Sequence, residues 1–504
     1  MYDHGTGEGL GPIPRALYRA DQTRELDRIA MEEFGLGDGA LMERAGAAAF
    51  AFLRRRWPGA KQVVVVCGRG NNGGDGYVLA RLGREAGLTA QVLMVAGAPN
   101  SGDAASAHDR ARAAGVAMAD FDEAALGGVD VIVDAVLGTG VERTVEGEWA
   151  RALEAIGEAT SPVLALDVPS GLHADSGRVL GTAVQADATM SFIGLKAGLF
   201  TADGPDCAGQ ILFDDLGVPE EIYRRVDPYV LRIGHGSLDG VLPRRRRNSH
   251  KGSFGTVLVI GGGPGMPGAA CLAGEAAYRV GAGRVLLGTH GSHAPYINAM
   301  HPELIGHDLS EPDALADLAR VADVIAIGPG LGQSSWAQRL FACTLESDRP
   351  KVVDADALNL LAREPMQRDD WVLTPHPGEA GRLLATATAS VQADRYGSAE
   401  SLAQTYGGVA VLKGAGTVVA AADGLSVCDR GGPVLASAGT GDVLTGAVAG
   451  LLAQGVAPAP AARMAVWVHA CAGEMLAAGG ERGGLARELL PLLREPLRQL
   501  QTHD

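Results

Sequence analysis

The chain has 504 residues, 47% of them hydrophobic and only 5% aromatic, and its formal net charge is −16. This length predicts two or three domains that each bury a core, and the acidic balance argues against a nucleic-acid partner. The six cysteines lack metal-ligand or redox-motif spacing, which indicates reduced thiols in a cytoplasmic protein. No apolar signal core and no run of 18 apolar residues occurs, so we expect no membrane partner.

In the first half of the chain, strand-like apolar runs alternate with helical patterns. Two helical patterns lie between residues 21 and 57, and the strand-like runs that follow are 63–67, 91–95, 129–135 and 163–167. Alternation with short glycine-rich turns predicts a parallel sheet that is covered by helices on both faces.

The first glycine-rich turn is GRGNNGGDG at residues 68–76, between the first of these strands and a helical pattern. At such a turn, unpaired backbone N–H groups and the helix dipole hold phosphate. The turn also fits the G-x-G-x-x-G pattern of dinucleotide-binding folds. The acidic residue expected after the next strand is missing, however, because residues 91–96 read QVLMVA, which disfavours that type of site.

Three predicted strand ends in this half carry polar residues: Asn71 with Asn72, Asp134, and Asp167 with Ser170. Ligands of open parallel sheets bind outside the carboxyl ends of the strands, so these side chains could converge around one crevice. Oxygen ligands without thiol or imidazole suit a hard cation such as K⁺. The alternative is that Asp134 and Asp167 only cap turns.

The alternation breaks between residues 216 and 251, where we place the domain boundary, giving domains 1–227 and 228–504. Strand-like runs resume at 256–260, 284–287, 324–327, 352–354, 371–374 and 409–413. The sequence therefore predicts an α/β protein with two doubly wound domains.

Motifs in the second half again sit at predicted strand ends: GPGLG (328–332), DADALN (354–359), TPHPGE (374–379), LKGAGT (412–417) and AGTGD (438–442). Lys413 or its adjacent glycines could hold nucleotide phosphates, and His376 could contact a substrate. Asp442, at the start of a predicted helix, could take a proton from a hydroxyl. A lone histidine after a strand is more often only a loop residue.

These motifs, in this order, resemble a known enzyme family over nearly the whole chain. The first half is similar to NAD(P)H-hydrate epimerase domains, which have a Rossmann-like fold, through LMERAG (41–46), GRGNNGGDGYVLAR, VDAVLGTG, LALDVPSG and Lys196 in GLKAG. The second is similar to NAD(P)H-hydrate dehydratases of the ribokinase-like fold, through HKGSFG (250–255), GPGLG, TPHPGE, LKGAGT and AGTGDVLTG.

The resemblance implies a bifunctional repair enzyme for hydrated nicotinamide cofactors. One domain would interconvert R- and S-NAD(P)H hydrate. The other would dehydrate the S form to NAD(P)H at the expense of ADP, releasing AMP and phosphate. K⁺ would serve the first site and Mg²⁺ would accompany ADP at the second. We also expect a homo-oligomer.

The resemblance also assigns site residues, with Asp167 and Asp442 as the catalytic groups of the two domains. Contacts to the hydrated cofactor fall to Asn71, Asn72, Gly73, Gly74, Asp75, Gly138, Thr139, Gly140, Val141, Glu142, Arg143, Thr144 and Asp167 in the first domain, and to Gly330, His376 and Asp442 in the second. The K⁺ ligands would be Asn72, Asp134 and Ser170. The nucleotide would contact Lys413, Gly414, Ala415, Gly416, Thr417 and Gly441.

The chain departs from the family pattern at two positions. Ala438 stands where the family usually has glycine at the opening of the anion-binding turn, and Met266 stands where it often has tyrosine. An alternative function is a ribokinase-like kinase of a small hydroxymethyl metabolite, with a noncatalytic binding module in the first half. That alternative leaves the first domain without a reaction.

Overall fold

The computed structural model describes residues 13–37, 39–311 and 313–500. Internal contacts divide the chain into two compact units, unit 1 ending at Leu231 and unit 2 beginning at Arg232. The division falls just after the boundary that we expect between residues 227 and 228. The extent of each functional domain stays a prediction.

Unit 1 alternates strands and helices as the sequence predicts. Its strands are β1 (Ala16–Tyr18), β2 (Gln62–Cys67), β3 (Thr89–Met94), β4 (Ala117–Asp120), β5 (Val131–Ala135), β6 (Val163–Leu166), β7 (Ala188–Phe192), β8 (Leu195–Lys196), β9 (Gln210–Asp214) and, at the boundary, β10 (Val230–Arg232). Its helices are α1 (Ala20–Phe34), α2 (Ala40–Arg56), α3 (Asn71–Glu85), α4 (Gly102–Ala113), α5 (Gly147–Glu158) and α6 (Gly204–Ala208).

The main sheet of unit 1 is parallel, with the strand order β4-β3-β2-β5-β6-β7-β9. Alternate residues of β2 point to opposite faces, so Val63 and Val65 belong to one buried cluster and Val64 and Val66 to another. Near-continuous apolar strands are typical of sheets covered on both faces. The predicted two-faced sheet is confirmed.

A smaller group of strands places Lys196 beside this sheet. β1 pairs with β8, where Tyr18 is the partner of Lys196, and it pairs on its other side with β10. Helix α1 packs on the same segment, because a Cβ on Gly194 would lie 3.4 Å from Thr23 Oγ1. The first helix therefore covers the loop that carries Lys196.

Unit 2 is built by the same alternation. Its strands are β11 (Thr256–Ile260), β12 (Arg284–Thr289), β13 (Ile305–Asp308), β14 (Val324–Ile327), β15 (Lys351–Val353), β16 (Trp371–Leu373), β17 (Val409–Leu412), β18 (Thr417–Ala421) and β19 (Gly424–Cys428). Its helices are α7 (Pro267–Arg279), α8 (Ala294–Met300), α9 (Asp313–Val321), α10 (Ser335–Leu345), α11 (Ala355–Leu361), α12 (Pro377–Leu383), α13 (Thr388–Ala393), α14 (Arg395–Tyr406), α15 (Thr440–Ala453), α16 (Pro458–Ala477), α17 (Ala486–Leu492) and α18 (Arg494–Gln499).

The strands of unit 2 follow the order β13-β12-β11-β14-β15-β16-β17-β18-β19, parallel up to β17 and antiparallel in the last two pairings. Helix α15 is buried along most of its length and touches the backbone of α7. A side chain on Gly446 would collide with the carbonyl of Ala273, and one on Gly450 would come within 2.5 Å of the carbonyl of Ala277. This close packing fixes the start of α15, where Asp442 lies.

The six cysteines are free thiols, and all but Cys343 are buried. Among the residues that the structure describes, no helix combines the length and apolar character needed to span a membrane.

Candidate active sites

The first glycine-rich turn of unit 1 lies where the sequence predicts, between β2 and α3. Its tightness depends on glycine, because a Cβ on Gly68 would collide with the carbonyl of Val136 and one on Gly73 with the carbonyl of Gly68. Asn71, Asn72, Gly73 and Gly74 form the first turn of α3. The first N–H groups of a helix have no partner within it, so this turn can bind an anion.

Asp134, Ser170 and Asn72 come together at the carboxyl ends of β5 and β6. Asp134 is fully buried, and its carboxylate accepts from Ser170 Oγ at 2.6 Å and from Ser170 N at 2.8 Å. Burial raises the pKa of Asp134 to about 6, against these hydrogen bonds, which lower it. Asn72 Nδ2 donates to the carbonyl of Leu137 at 3.1 Å, which leaves Asn72 Oδ1 buried without a hydrogen-bond partner.

The unpartnered Asn72 Oδ1 is the feature of this cluster that points to a ligand. Buried polar atoms are nearly always satisfied, so an unpaired oxygen beside a buried carboxylate is costly unless a cation fills the space. The oxygens of Asn72, Asp134 and Ser170 are all hard donors, and they fit the predicted alkali cation.

Asp167 follows β6 in a left-handed backbone conformation, with φ of 67°. Aspartate is one of the few residues other than glycine that tolerate this region. The sharp turn directs the carboxylate to Lys196 Nζ, with which Asp167 Oδ1 forms an ion pair. Lys196 is 1% exposed, and its ammonium also donates to the carbonyl of Phe192 at 2.9 Å and to Ser191 Oγ at 3.3 Å.

Two more carboxylates face this ion pair. The pKa of Asp27 is raised to about 6 by burial, with Lys196 lowering it and Asp167 raising it further. The pKa of Asp75 is raised well above its usual range by burial and by the charges of Asp167 and Asp27. Three carboxylates around one buried ammonium form a group that can hold and transfer a proton.

The loop after β5 supplies the remaining predicted substrate contacts of unit 1. Gly138 lies against Asn72, since a Cβ on Gly138 would be 3.2 Å from Asn72 Cβ. Thr144 lies against Gly181, whose added Cβ would be 2.9 Å from Thr144 Cγ2. The positions between them form an irregular loop and are mostly exposed: Thr139, Gly140, Val141, Glu142 and Arg143.

In unit 2, Asp442 lies in the first turn of α15, after Gly439, which has φ of 92°. Burial raises the pKa of Asp442 to about 7; the carboxylate of Asp354 adds to the rise and Lys413 opposes it. A general base works best when its pKa is close to the working pH. The local electrostatics therefore suit Asp442 to proton abstraction near neutrality.

Lys413 is held close to Asp442 by other carboxylates. Its Nζ lies 2.7 Å from Asp354 Oδ1 and 4.0 Å from Glu379 Oε2. Thr445 Oγ1 donates to the second oxygen of Asp354 at 2.6 Å. A Cβ on Gly441 would be 3.3 Å from Lys413 Nζ, so this ammonium lies under the turn that begins α15.

Gly330 and His376 lie in the loops that follow β14 and β16, at the carboxyl ends of these strands. The His376 ring is half exposed, and its Nδ1 accepts from Gly378 N at 2.9 Å, which leaves the proton on Nε2. Burial and Lys413 lower the pKa of His376, which favours the neutral ring. Gly330 has φ of 59° and approaches the backbone of Met266, whose side chain is 42% exposed.

The predicted nucleotide loop connects the antiparallel strands β17 and β18. Buried Arg395 shapes it, donating to the carbonyls of Leu412, Lys413 and Gly416 at 3.2–3.3 Å. A Cβ on Gly414 would lie 2.9 Å from this guanidinium, and Gly414 has φ of 132°. Ala415 and the start of β18 at Thr417 complete the loop.

The structure brings several residues to these sites whose roles do not follow from the sequence pattern. Lys196 stands out only as part of the GLKAG motif and Asp354 only as the start of DADALN, although an acidic residue directly after an apolar strand is a signal for Asp354. Asp27 and Arg395 carried no signal, because charged residues in amphipathic helices usually face solvent. His469 was also missed: its Nε2 lies 2.9 Å from the carbonyl of Thr440, and burial lowers its pKa to about 4.

Comparison with known proteins gives two family matches, one in each unit. Residues 38–198 match the family described as YjeF-related protein N-terminus, and residues 257–493 match the family described as NAD(P)H-hydrate dehydratase. A bifunctional NAD(P)H-hydrate repair enzyme Nnr from Coxiella burnetii is 46% identical over 95% of this chain and 98% of its own length.

Solved structures resemble the second unit. An ADP/ATP-dependent NAD(P)H-hydrate dehydratase from Bacillus subtilis, co-crystallised with ATP and Mg²⁺, is 33% identical and covers 54% of this chain and 99% of its own, with a TM-score of 0.50. A ribokinase-like superfamily protein from Enterococcus faecalis is 27% identical and covers 54% of this chain and 96% of its own, also with a TM-score of 0.50. The predicted ribokinase-like fold is confirmed.

Proposed function

The chain belongs to the bifunctional NAD(P)H-hydrate repair enzymes, and from that premise we propose how its two sites divide the work. Unit 1 epimerises the hydroxyl-bearing carbon of R- and S-NAD(P)H hydrate. Unit 2 dehydrates the S form with ADP as phosphate donor and releases AMP and phosphate. The observation that carries the proposal is Asp442, a carboxylate of raised pKa at the N-terminus of a buried helix and beside Lys413.

Dehydration needs a better leaving group than hydroxide. Asp442 takes the proton of the substrate hydroxyl as that oxygen attacks the terminal phosphorus of ADP and the bond to AMP breaks. The amides of the turn at Gly439, Thr440 and Gly441 and the ammonium of Lys413 lie where they can stabilise the negative charge. The ring nitrogen lone pair then expels phosphate, the neighbouring carbon loses a proton, and the reduced nicotinamide ring is restored.

Epimerisation inverts a carbon that carries both a hydroxyl and the ring nitrogen. When a base takes the hydroxyl proton and a proton reaches the ring nitrogen, the carbon–nitrogen bond breaks to give an open-chain aldehyde, and closure on the opposite face reverses the same proton transfers. Asp167 is the group that we assign to these transfers, because its carboxylate is partly exposed while its ion-pair partner Lys196 is buried beneath it. The first turn of α3 holds the phosphates, with Asn71 to Gly74 as donors. Asp75 and the loop from Gly138 to Thr144 complete the proposed contacts.

Cations belong to both proposed sites. K⁺ would be held by Asn72, Asp134 and Ser170, where it would satisfy Asn72 Oδ1 and fix the start of α3. Mg²⁺ would accompany the nucleotide at the loop Lys413, Gly414, Ala415, Gly416 and Thr417 and would neutralise phosphate charge. The Mg²⁺ of the Bacillus subtilis relative supports the second assignment.

We further propose a cytoplasmic homo-oligomer. The free cysteines support a reducing compartment. Light scattering coupled to size exclusion measures the assembly, and a monomeric mass would contradict it.

One assay tests the proposed reactions together. Purified protein is incubated with the mixed epimers of NADH hydrate and with ADP, ATP or no nucleotide, while absorbance of the reduced cofactor is followed. Full recovery with ADP is expected, because epimerisation feeds the R form into dehydration. Recovery that stops at the S fraction would contradict the epimerase assignment, and no recovery would contradict both.

A further inference from the structure

Unit 1 contains a cavity of about 600 Å³ that the sites described above do not use. It lies at the carboxyl ends of β3 and β4. Its lining consists of Met94, Val95, Ala96, Gly97, Asp120, Phe121, Asp122, Glu123, Glu148 and Arg151. Four carboxylates and one guanidinium therefore surround a space that also contains one aromatic ring.

The cavity adjoins the phosphate-binding turn directly. Val95 N donates to the carbonyl of Cys67 at 2.9 Å, the residue just before that turn. A Cβ on Gly97 would lie 3.2 Å from Arg69 Nη2 within the turn. On the other wall, Trp149 approaches to 3.3 Å of a Cβ built on Gly68, and it lies in α5 between Glu148 and Arg151.

In the order of the strands, the cavity lies on one side of the phosphate-binding turn and the proposed reaction centre lies on the other. In the order β4-β3-β2-β5-β6, the cavity lies at β3 and β4, the phosphate turn follows β2, and Asp134 and Asp167 follow β5 and β6. With strands about 4.8 Å apart, β3 and β6 are separated by roughly 14 Å. A ligand whose phosphates bind at the turn could reach both the cavity and the reaction centre if it carried one nucleoside on each side of those phosphates.

We propose that this cavity binds the adenosine half of the hydrated dinucleotide. The inference rests on the proposed epimerase function, which accounts for the hydrated ring and the phosphates but not for the second nucleoside. Carboxylates accept hydrogen bonds from ribose hydroxyls, and the Phe121 ring offers an apolar surface to the base. Asp120 and Glu148 are the acceptors that we assign, because Asp122 already accepts from Ala124 N at 3.1 Å.

This assignment also explains how the chain can bind a ribose without an acidic residue directly after β3. Dinucleotide-binding folds commonly place the ribose-binding carboxylate there, whereas this chain places carboxylates at the end of β4 and on α5, around the same space. The four lining carboxylates outnumber the two guanidinium groups near them, Arg151 in the lining and Arg69 beside Gly97, which disfavours a further phosphate on the ribose. Hydrated NADH should therefore bind more tightly than hydrated NADPH at the epimerase site.

A truncated substrate tests the proposal. The hydrate of reduced nicotinamide mononucleotide keeps the reacting ring and one phosphate but lacks adenosine. We compare the wild type with the double variant Asp120→Asn/Glu148→Gln, and with Glu154→Gln, an exposed control on the same helix that does not line the cavity. The double variant should raise KM for hydrated NADH about tenfold, with kcat and the KM of the mononucleotide hydrate unchanged.

The KM values test whether the cavity binds adenosine, whereas the presence of any epimerisation tests the proposed function of unit 1. Equal KM values for hydrated NADH and the mononucleotide hydrate in the wild type would overturn it, as would a double variant that weakens both substrates alike. A KM for hydrated NADPH in the wild type at or below that for hydrated NADH would overturn the assigned role of the carboxylates. Absence of epimerisation with either substrate in the wild type would instead contradict the proposed function.

Discussion

The two units place their proposed catalytic carboxylates against opposite electrostatic surroundings. In unit 1, Asp167 holds the buried ammonium of Lys196 directly. In unit 2, the nearby ammonium of Lys413 is held by Asp354 at 2.7 Å instead, and the pKa of Asp442 rises to about 7. Similar doubly wound architectures therefore present Asp167 as half of an ion pair and Asp442 as a base whose neighbouring ammonium is paired with another carboxylate.

This difference matches the two reactions. Phosphoryl transfer needs a base that takes one proton once, so a pKa near the working pH is suitable. Epimerisation must operate in both directions and therefore needs a group that both accepts and returns a proton. The carboxylates of Asp27, Asp75 and Asp167 around Lys196 form such a group. The partner of each carboxylate, more than the fold, distinguishes the two sites.

Removal of the base in unit 2 should have the largest effect. Asp442→Asn should lower ADP-dependent dehydration by roughly 10²- to 10⁴-fold, the range of general-base catalysis. Epimerisation in the same chain should be unchanged, and its rate serves as the folding control. The measurement is initial rate with pure S-NADH hydrate, and retention of more than about a tenth of the dehydration rate would rule out Asp442 as the base.

Removal of the ion-pair partner tests the other side of the comparison. Lys196→Met should lower epimerisation about 100-fold, because Asp27, Asp75 and Asp167 would lose the buried ammonium that they face. The acid limb of the pH profile should also move to higher pH, since like charges raise carboxylate pKa values. Lys61→Met, at an exposed lysine of the same unit, is the matched control. An unshifted profile would show that Lys196 has only a packing role.

The raised pKa of Asp442 predicts how the rate of dehydration in unit 2 depends on pH. The base must be deprotonated, so dehydration should rise with pH and level off above about 7. One pH unit below this value the rate should be about tenfold lower. Asp354→Asn should move the rise to lower pH, because Asp354 raises the pKa of Asp442 and also holds Lys413. If the dehydration rate of the Asp354→Asn variant rose at the same pH as that of the wild type, Asp354 would have no influence on the pKa of Asp442.

The cation site gives a smaller effect that is confined to unit 1. Asp134→Ala should weaken binding of the hydrate several-fold and abolish any dependence of epimerisation on K⁺, because the oxygen set around Asn72 Oδ1 loses its charge. Rates after dialysis against Na⁺-free, K⁺-free buffer, with K⁺ then added back, provide the measurement. Full epimerisation activity of the wild type without K⁺ would contradict the proposed K⁺ site.

Much of both sites could be predicted from sequence, because strand, glycine turn and helix are local signals. The apolar runs before residues 68, 134 and 354 placed the turns correctly. β4 was missed because its residues, Ala117–Asp120, are mostly exposed and carry no apolar run. The pairing of Asp167 with Lys196, and the burial of Arg395 under the nucleotide loop, depend on contacts between distant segments that no local pattern encodes.

Separating the units should have the smallest effect on either activity. Each unit has its own set of parallel strands and its own buried clusters, so each should fold alone. The strand β10 pairs with β1, and Tyr229 N donates to the carbonyl of Leu17 at 2.9 Å. An N-terminal fragment that ends after Arg232 should therefore melt at a higher temperature than one that ends at Asp227.

Mixed with a C-terminal fragment, the N-terminal fragment that ends after Arg232 should repair both epimers of the hydrate to within about twofold of the intact rate, because the intermediate diffuses between sites. Circular dichroism and the absorbance assay measure the two properties. Unfolded fragments, or repair that requires the intact chain, would show that the units depend on each other for folding or catalysis.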